Sequence, residues 1–230
     1  MQSVGIPGGT LPPVRSPRPY SPQAGPGAQS LTERRKAATQ LDIARAACEL
    51  FAEHGPDGTT AEDIAHRAGV ALRTFYRYFR NKQDAVAPLL AGGGDTWRAL
   101  LAEEAPGTPL AEALERAVSR SLTGAQAVEE GLEVTRGLLR AAASDEALRA
   151  VWYRVNQDSE EHLVPVVARL AGPDADPLGV RLIAAAATDA IRIALELWSA
   201  TDAPATGPGS PAELAVRCLR DLTGAMPLLR

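Results

Sequence analysis

Cysteine is almost missing from this 230-residue chain: Cys48 and Cys218 stand alone. Two cysteines cannot build a disulfide framework, and neither has a second Cys or a His at zinc-ligand spacing, so no metal site is expected. Long apolar runs are missing too. A membrane span needs about 20 apolar residues, whereas outside the N-terminal stretch no uncharged run is much longer than the ten residues between Asp84 and Asp95. Arg15 and Arg18 are followed by no apolar run that could serve as a signal-peptide core, so export is not expected and the cytoplasm is the expected location. HExxH, a paired-cysteine motif and a P-loop are all absent, and the glycine triplet Gly92-Gly93-Gly94 has neither a preceding strand nor a following Lys-Ser. The expectation is a protein that is not an enzyme and carries no cofactor. No stretch alternates apolar and polar residues long enough to make a strand, which leaves an all-α chain.

What is present is unevenly placed. Residues 1–91 hold eleven basic and eight acidic side chains, and the remainder thirteen and twenty, although the whole chain carries −4. A small basic module joined to a larger acidic one is the natural reading. Both lysines, Lys36 and Lys82, lie in the basic part. Residues 1–30 contain seven Pro and five Gly without periodicity, which predicts a disordered tail. About nine helices are expected after it. The first runs from about Thr32 to His54 with Ile43, Ala47, Leu50 and Phe51 on one stripe and Cys48 beside it as a packing thiol. Later ones start at Asn81, Thr108-Pro109, Ala125, Ser144, Asp176-Pro177 and a capping box at Ser210-Pro211-Ala212-Glu213. The glycine triplet inside the fourth helix, at about 1 kcal/mol per residue relative to Ala, is an expected weak point.

Between Thr59 and Lys82 the chain reads TTAEDIAHRAGVALRTFYRYFRNK. Two short helical segments meet at Ala68-Gly69-Val70, where Gly69 supplies the positive φ of a tight helix-to-helix turn. Thr60 with Asp63 forms an N-cap, and Ile64 and Ala65 face inward. This is a helix-turn-helix. On its second helix, about Ala71 to Phe79, Phe75, Phe79 and part of Tyr78 pack inward. Leu72, Arg73, Thr74, Tyr76 and Arg77 point outward, a set suited to a major groove: arginine bonds guanine bidentately, hydroxyls hold phosphates, and apolar atoms meet thymine methyls.

The stretch from Ile43 to Asp84, with IARAACELFAEHG, TTAEDIAHRAGV and RTFYRYF followed by NK, resembles the DNA-binding domain of tetracycline-repressor-like (TetR) regulators. The resemblance covers roughly a fifth of the chain. It implies that Thr60 caps its helix against a phosphate, that Tyr76 and Arg77 touch the backbone, and that Lys82 meets a phosphate at the fourth helix's N-terminus. Two positions depart from the family: Ala71 stands where Ser or Thr is common, removing a cap worth about 1 kcal/mol, and Arg73 stands where Gly is frequent. Arg73 is therefore read as the main sequence-reading residue, against phosphate pairing or simple solvation. Arg34, Arg35 and Lys36 either meet DNA backbone or form a solvated face. The expected organisation is a tail (1–30), a three-helix DNA-binding domain (31–80) and a larger helical ligand-binding and dimerisation domain (81–230).

The helix from Pro177 to Ala200 confines its polar side chains to one strip and is apolar elsewhere. Two apolar faces need two partners: the protein's own core and, by inference, the same helix of a second subunit. Ile183, Ala187, Ile191, Ala194 and Trp198, with Leu214, Cys218 and Leu222 of the last helix, are the expected isologous interface. Burial within one domain is the competing reading. A homodimer agrees with the family's habit and implies a palindromic double-stranded DNA operator whose half-sites lie about 34 Å apart. On the helix from Ser144 to Leu170, Ser159 and His162 interrupt an apolar stripe. With Trp97, Trp152 and Asn156 they are the candidates for a ligand cavity, set against ordinary core or surface roles. By resemblance, a small and largely apolar effector releases a repressor from DNA. The alternative is a regulator whose input is a protein docking on the acidic domain; a cavity of several hundred Å³ favours the first, and a solid core with an exposed apolar patch favours the second.

Overall fold

In the described residues of this computed structural model (30–105, 107–224 and 226) all regular structure is helical: nine α-helices and one 3-10 turn. The expected disordered tail lies, apart from Ser30, outside the described residues. Helix α1 (Leu31–His54) opens on a closed capping box, with Ser30 Oγ accepting the Glu33 N–H at 3.2 Å and Glu33 accepting the Ser30 N–H at 2.8 Å. Its stripe of Ile43, Ala47, Leu50 and Phe51 is buried. Helices α2 (Ala61–Arg67) and α3 (Leu72–Tyr78) follow, joined through Gly69 at φ 67°. Isolated seven-residue helices are unstable in water, so both depend on tertiary packing: α2 lies against α1 and α3 against α2, and Ile64, Ala65, Phe75 and Phe79 are buried.

A 3-10 turn (Asp84–Val86), whose first N–H is capped by Asn81 Oδ1 at 2.8 Å, leads into α4 (Ala87–Ala102). Then come α5 (Leu110–Ser121), α6 (Gln126–Ala142), α7 (Glu146–Ala171), α8 (Pro177–Ser199) and α9 (Pro211–Thr223). Helix α8 packs most extensively against α9 and α7, and α4 lies against α7 and α5. The buried cluster is continuous from Ile43 through Phe75, Trp97, Leu114, Leu148 and Ile183 to Leu219. No helix among the described residues is long and apolar enough to cross a membrane.

Several expectations are corrected in detail. Helix α7 is capped by Asp145, which accepts the Leu148 N–H at 2.9 Å, while the Ser144 hydroxyl turns back to the Ala141 carbonyl. Ser210 does cap α9, but Glu213 reaches the Gly209 N–H at 2.6 Å instead of closing the box on Ser210 itself. The glycine triplet leaves α4 unbroken. Gly94 lies at the contact with α7: a Cβ there would sit 2.8 Å from Ser159 Oγ, so a larger residue would require the Ser159 hydroxyl to turn away.

The apolar face of α8 proposed for a partner also moves. Ile183, Ala187, Ala194 and Trp198 are wholly buried in their own subunit. The indole N–H of Trp198 donates to the Ala203 carbonyl at 2.9 Å, and Arg136 lies 3.8 Å from its ring centroid, so Trp198 anchors the α8–α9 connection. Ile191 lines an internal cavity. The side that stays uncovered carries Leu178, Leu182 (49% exposed) and Leu197 (55%), with Leu222 (42%) on α9; Leu214 and Cys218 are half-buried.

Candidate nucleic-acid interface and adjoining cavity

Helix α3 is held from beneath and bare above. Phe75 is fully buried and meets Tyr76 edge-on at 5.3 Å and Phe79 at 5.6 Å between ring centroids. As expected, Ala71 provides no side-chain cap. Arg73, Tyr76 (54% exposed) and Arg77 stand in solvent, while Leu72 and Thr74 are half-buried, Leu72 packing on the core. Arg77 is turned onto Tyr78, 4.8 Å from the ring centroid with a 3.1 Å hydrogen bond to its hydroxyl.

The cations divide into two groups. Arg45 pairs with Asp42, and Arg67 is clamped by Glu53 at 2.8 Å and Glu49 at 3.4 Å. Arg34, Arg35, Lys36, Arg73, Arg77 and Arg80 are exposed and, among the described residues, pair with no carboxylate. Exposed cations lacking an internal counter-ion are what a polyanion neutralises. Arg80 escaped the sequence reading because it follows the helical pattern of α3; its place in Phe79-Arg80-Asn81-Lys82 was the one available signal.

Two of the expected contacts are otherwise engaged. The Thr60 hydroxyl accepts the Asp63 N–H at 3.1 Å and donates to Asp63 Oδ2 at 2.6 Å, while the Thr60 backbone N–H donates to the same Oδ2 at 2.9 Å and closes a capping box. Lys82 donates to the Thr59 carbonyl at 3.0 Å, which places its ammonium beside the start of α2 with two protons to spare. Lys36 lies on α1 with no contact joining it to these residues. Cys48 is an inert packing thiol: burial first, and the Glu49 carboxylate second, push it up to about 12.

Polar ties connect this head to the rest of the chain. Gln83 Nε2 donates to Asp145 Oδ2 at 3.0 Å, and Arg154 of α7 pairs with Asp84 at 2.7 Å. Burial alone would raise the Asp145 carboxyl, but the donors Gln83, Leu148 and Ala147 and the nearby Lys82 charge hold it below the usual range. A carboxyl lowered by folding stabilises the fold above its unfolded-state pKa and loses that contribution as pH falls through the folded value. Thermal unfolding followed from pH 6 to pH 3 should therefore show a smaller acid-induced fall in Asp145→Asn than in the parent, and equal falls would remove this role.

Behind α3, a cavity of about 800 Å³ opens between α4, α6, α7 and α8. Trp97, Trp152, Asn156, Ser159 and His162 all line it, alongside Leu90, Leu132, Val155, Ile191 and Leu195. Trp152 is fixed by its indole N–H donating to Glu196 at 2.7 Å, with Arg192 pairing with the same carboxylate at 3.0 Å. His162 is exposed at the mouth. Thr188, on the wall, keeps a buried hydroxyl with no partner among the described residues, a group that costs about 1–3 kcal/mol when desolvated. Thr188→Val should raise the unfolding midpoint by about 2–4 °C, taking a gain of about 1 kcal/mol; a lower midpoint in calorimetry would show that the hydroxyl is satisfied.

Residues 43–87, which span the turn, the exposed helix and Lys82, match the bacterial regulatory proteins of the tetR family. An HTH-type transcriptional repressor, Rv3405c of Mycobacterium tuberculosis, is 35% identical over 133 residues, covering 55% of this chain and 69% of its own length. The chain belongs to the TetR family. It is a DNA-binding helix-turn-helix regulator of transcription, not an enzyme. The HTH-type regulator TcmR of Streptomyces glaucescens is 28% identical over 166 residues, 70% of this chain and 71% of its own. The Thermus thermophilus repressor FadR, solved in complex with lauroyl-CoA, shares the fold at TM-score 0.50 and 24% identity, with 81% of this chain and 94% of that one covered.

Proposed function

We propose that this TetR-family regulator is a homodimeric repressor that holds a palindromic operator and is released by a small, largely apolar ligand. The observation that carries the reading is the pairing of an uncompensated cationic face around α3 with a cavity of about 800 Å³ whose walls include α4, the helix continuous with the DNA-binding head. Residues 31–80 form the reading head and 81–230 the sensing and pairing body, joined at the turn before Asp84. In the head, Arg73 reads bases with Leu72 and Thr74 beside it; Tyr76, Arg77, Lys36 and Arg80, with Lys82 just past its boundary, meet phosphates, and Thr60 orders the start of α2.

The subunits meet through the uncovered side of α8 and α9, built on Leu182, Leu197 and Leu222 with Leu214 and Cys218, since an exposed leucine ridge of this kind is the usual mark of a partner surface. Trp97, Trp152, Asn156, Ser159 and His162 surround the ligand. Its entry displaces α4, strains the Asp84–Arg154 and Gln83–Asp145 ties and changes the spacing of the two heads. A ligand that favours the released state by about 5.5 kcal/mol converts a 1:99 population to 99:1. Two likenesses support this reading: the repressor relative from Mycobacterium tuberculosis, and a shared fold that in FadR accommodates lauroyl-CoA.

The experiment is to select genomic fragments with the purified protein, footprint the best one, and weigh the complex. Two protected half-sites one helical turn apart and a two-subunit mass are expected. A monomer that binds no fragment better than random duplex would end the proposal.

A further inference from the structure

We propose that the ligand is an uncharged, ring-containing molecule that carries hydrogen-bonding oxygen along one edge, read by a polar row on α7; this rests on the cavity being the effector site. Asn156, Ser159 and His162 follow each other at three-residue steps, which stacks them about 4.5 Å apart along the helix axis. All three line the cavity. Asn156 Nδ2 donates to the Trp152 carbonyl at 2.9 Å and keeps its Oδ1 free, while Ser159 Oγ and the His162 ring have no hydrogen-bond partner among the described residues. Leu90, Leu132, Val155, Ile191 and Leu195 supply apolar wall elsewhere in the cavity, with Thr188 among them. A molecule that is apolar on one side and oxygenated on the other satisfies both.

The charges of the lining balance, which disfavours an ionic ligand. Its ionised side chains are three arginines and three aspartates. Arg154 and Asp84 are paired at 2.7 Å and Arg98 and Asp95 at 2.8 Å, while Arg80 and Asp158 are exposed at the rim. The two unpaired groups, one of each sign, sit at the rim, so an ion held deeper inside would lose its hydration with no counter-ion beside it. The opposite wall explains the shape. Gly92 and Gly93 line the same cavity, and a Cβ on either would meet nothing within 4 Å, so α4 presents bare backbone there. Gly94 meanwhile lets Ser159 approach α4. A ring system can lie flat against backbone stripped of side chains at this open edge of the cavity.

The test uses three matched tricyclic probes: fluorene, with no oxygen; 9-fluorenone, with one acceptor oxygen; and 9-fluorenone-2-carboxylate, an anion. Binding is read from the quenching of tryptophan fluorescence, since Trp97 and Trp152 lie on the cavity wall. The expected result is that 9-fluorenone binds about tenfold more tightly than fluorene, as a hydrogen bond to a waiting donor allows, and more tightly than the carboxylate. In Ser159→Ala/His162→Phe the ketone should fall to the affinity of fluorene, with fluorene itself changed less than twofold. Equal binding of fluorene and 9-fluorenone to the parent would overturn the polar edge while leaving the ligand cavity standing, and tightest binding by the carboxylate would overturn neutrality. Absence of quenching by all three would overturn the effector site and this inference together.

Discussion

Phe75→Ala should lower the unfolding midpoint by about 10 °C and abolish tight DNA binding. The side chain is fully buried, and truncating a buried phenylalanine costs about 3–5 kcal/mol. For a chain of this length each kcal/mol is worth about 2–4 °C. The effect falls on function because of how α3 is attached. A seven-residue helix without a side-chain cap has no stability of its own, so its place against α2 rests on the buried Phe75 and Phe79. Without Phe75, the ring contacts at 5.3 and 5.6 Å to Tyr76 and Phe79 are both lost, and the exposed Arg73, Tyr76 and Arg77 no longer present a fixed face. Phe75→Leu fills most of the volume and should lose less than half as much. Calorimetry together with hydrogen exchange at residues 72–78 checks both; an Phe75→Ala midpoint within 2 °C of the parent would show that the head is anchored elsewhere.

That head was the most legible part of the sequence, because its determinants are local. Thr60 and Asp63 lie three apart, Gly69 must take a positive φ, and Phe75 and Phe79 lie four apart on a short helix; each constraint acts within one or two turns of chain. The face of α8 was legible only by half. Its wheel shows two apolar sides, but Ile183 and Ala187 look no more suited to a core than Leu182 and Leu197 until α7 and α9 are in place, and chemistry alone does not separate them. Ser144 and Asp145 are both good caps, so the start of α7 was open by one residue for the same reason. The cavity was visible only as a break in one stripe, at Ser159 and His162. Its other walls come from segments far apart in the chain: Leu90 of α4 and Leu132 of α6 read as ordinary core, and Thr188 of α8 falls in that helix's polar strip.

Arg73→Ala tests the step from fold to specificity, and its effect should appear twice because a palindromic operator is read by two subunits. Arg73 is exposed on α3 and pairs with no carboxylate among the described residues, so its guanidinium reaches a base edge without first breaking an ion pair. A bidentate arginine contact discriminates by about 1–3 kcal/mol per base pair, which two half-sites raise to about 2–6 kcal/mol, a loss of about 30-fold to more than 10,000-fold on the preferred operator. Binding to random duplex should fall far less, since other exposed cations remain to neutralise phosphates. Lys82→Ala is the contrast: its ammonium touches no base in this reading, so its removal should weaken all sequences alike and reduce the slope of log affinity against log salt by about one per phosphate contact. Because Lys82 also holds the Thr59 carbonyl at 3.0 Å, Lys82→Arg, which keeps the charge and a donor, should recover most of that slope. The two variants therefore separate along different axes, base preference for Arg73 and salt dependence for Lys82. If Arg73→Ala left preference at every operator position intact and changed only the salt slope, the base-reading role would pass to Leu72, Thr74 or Tyr76 on the same face.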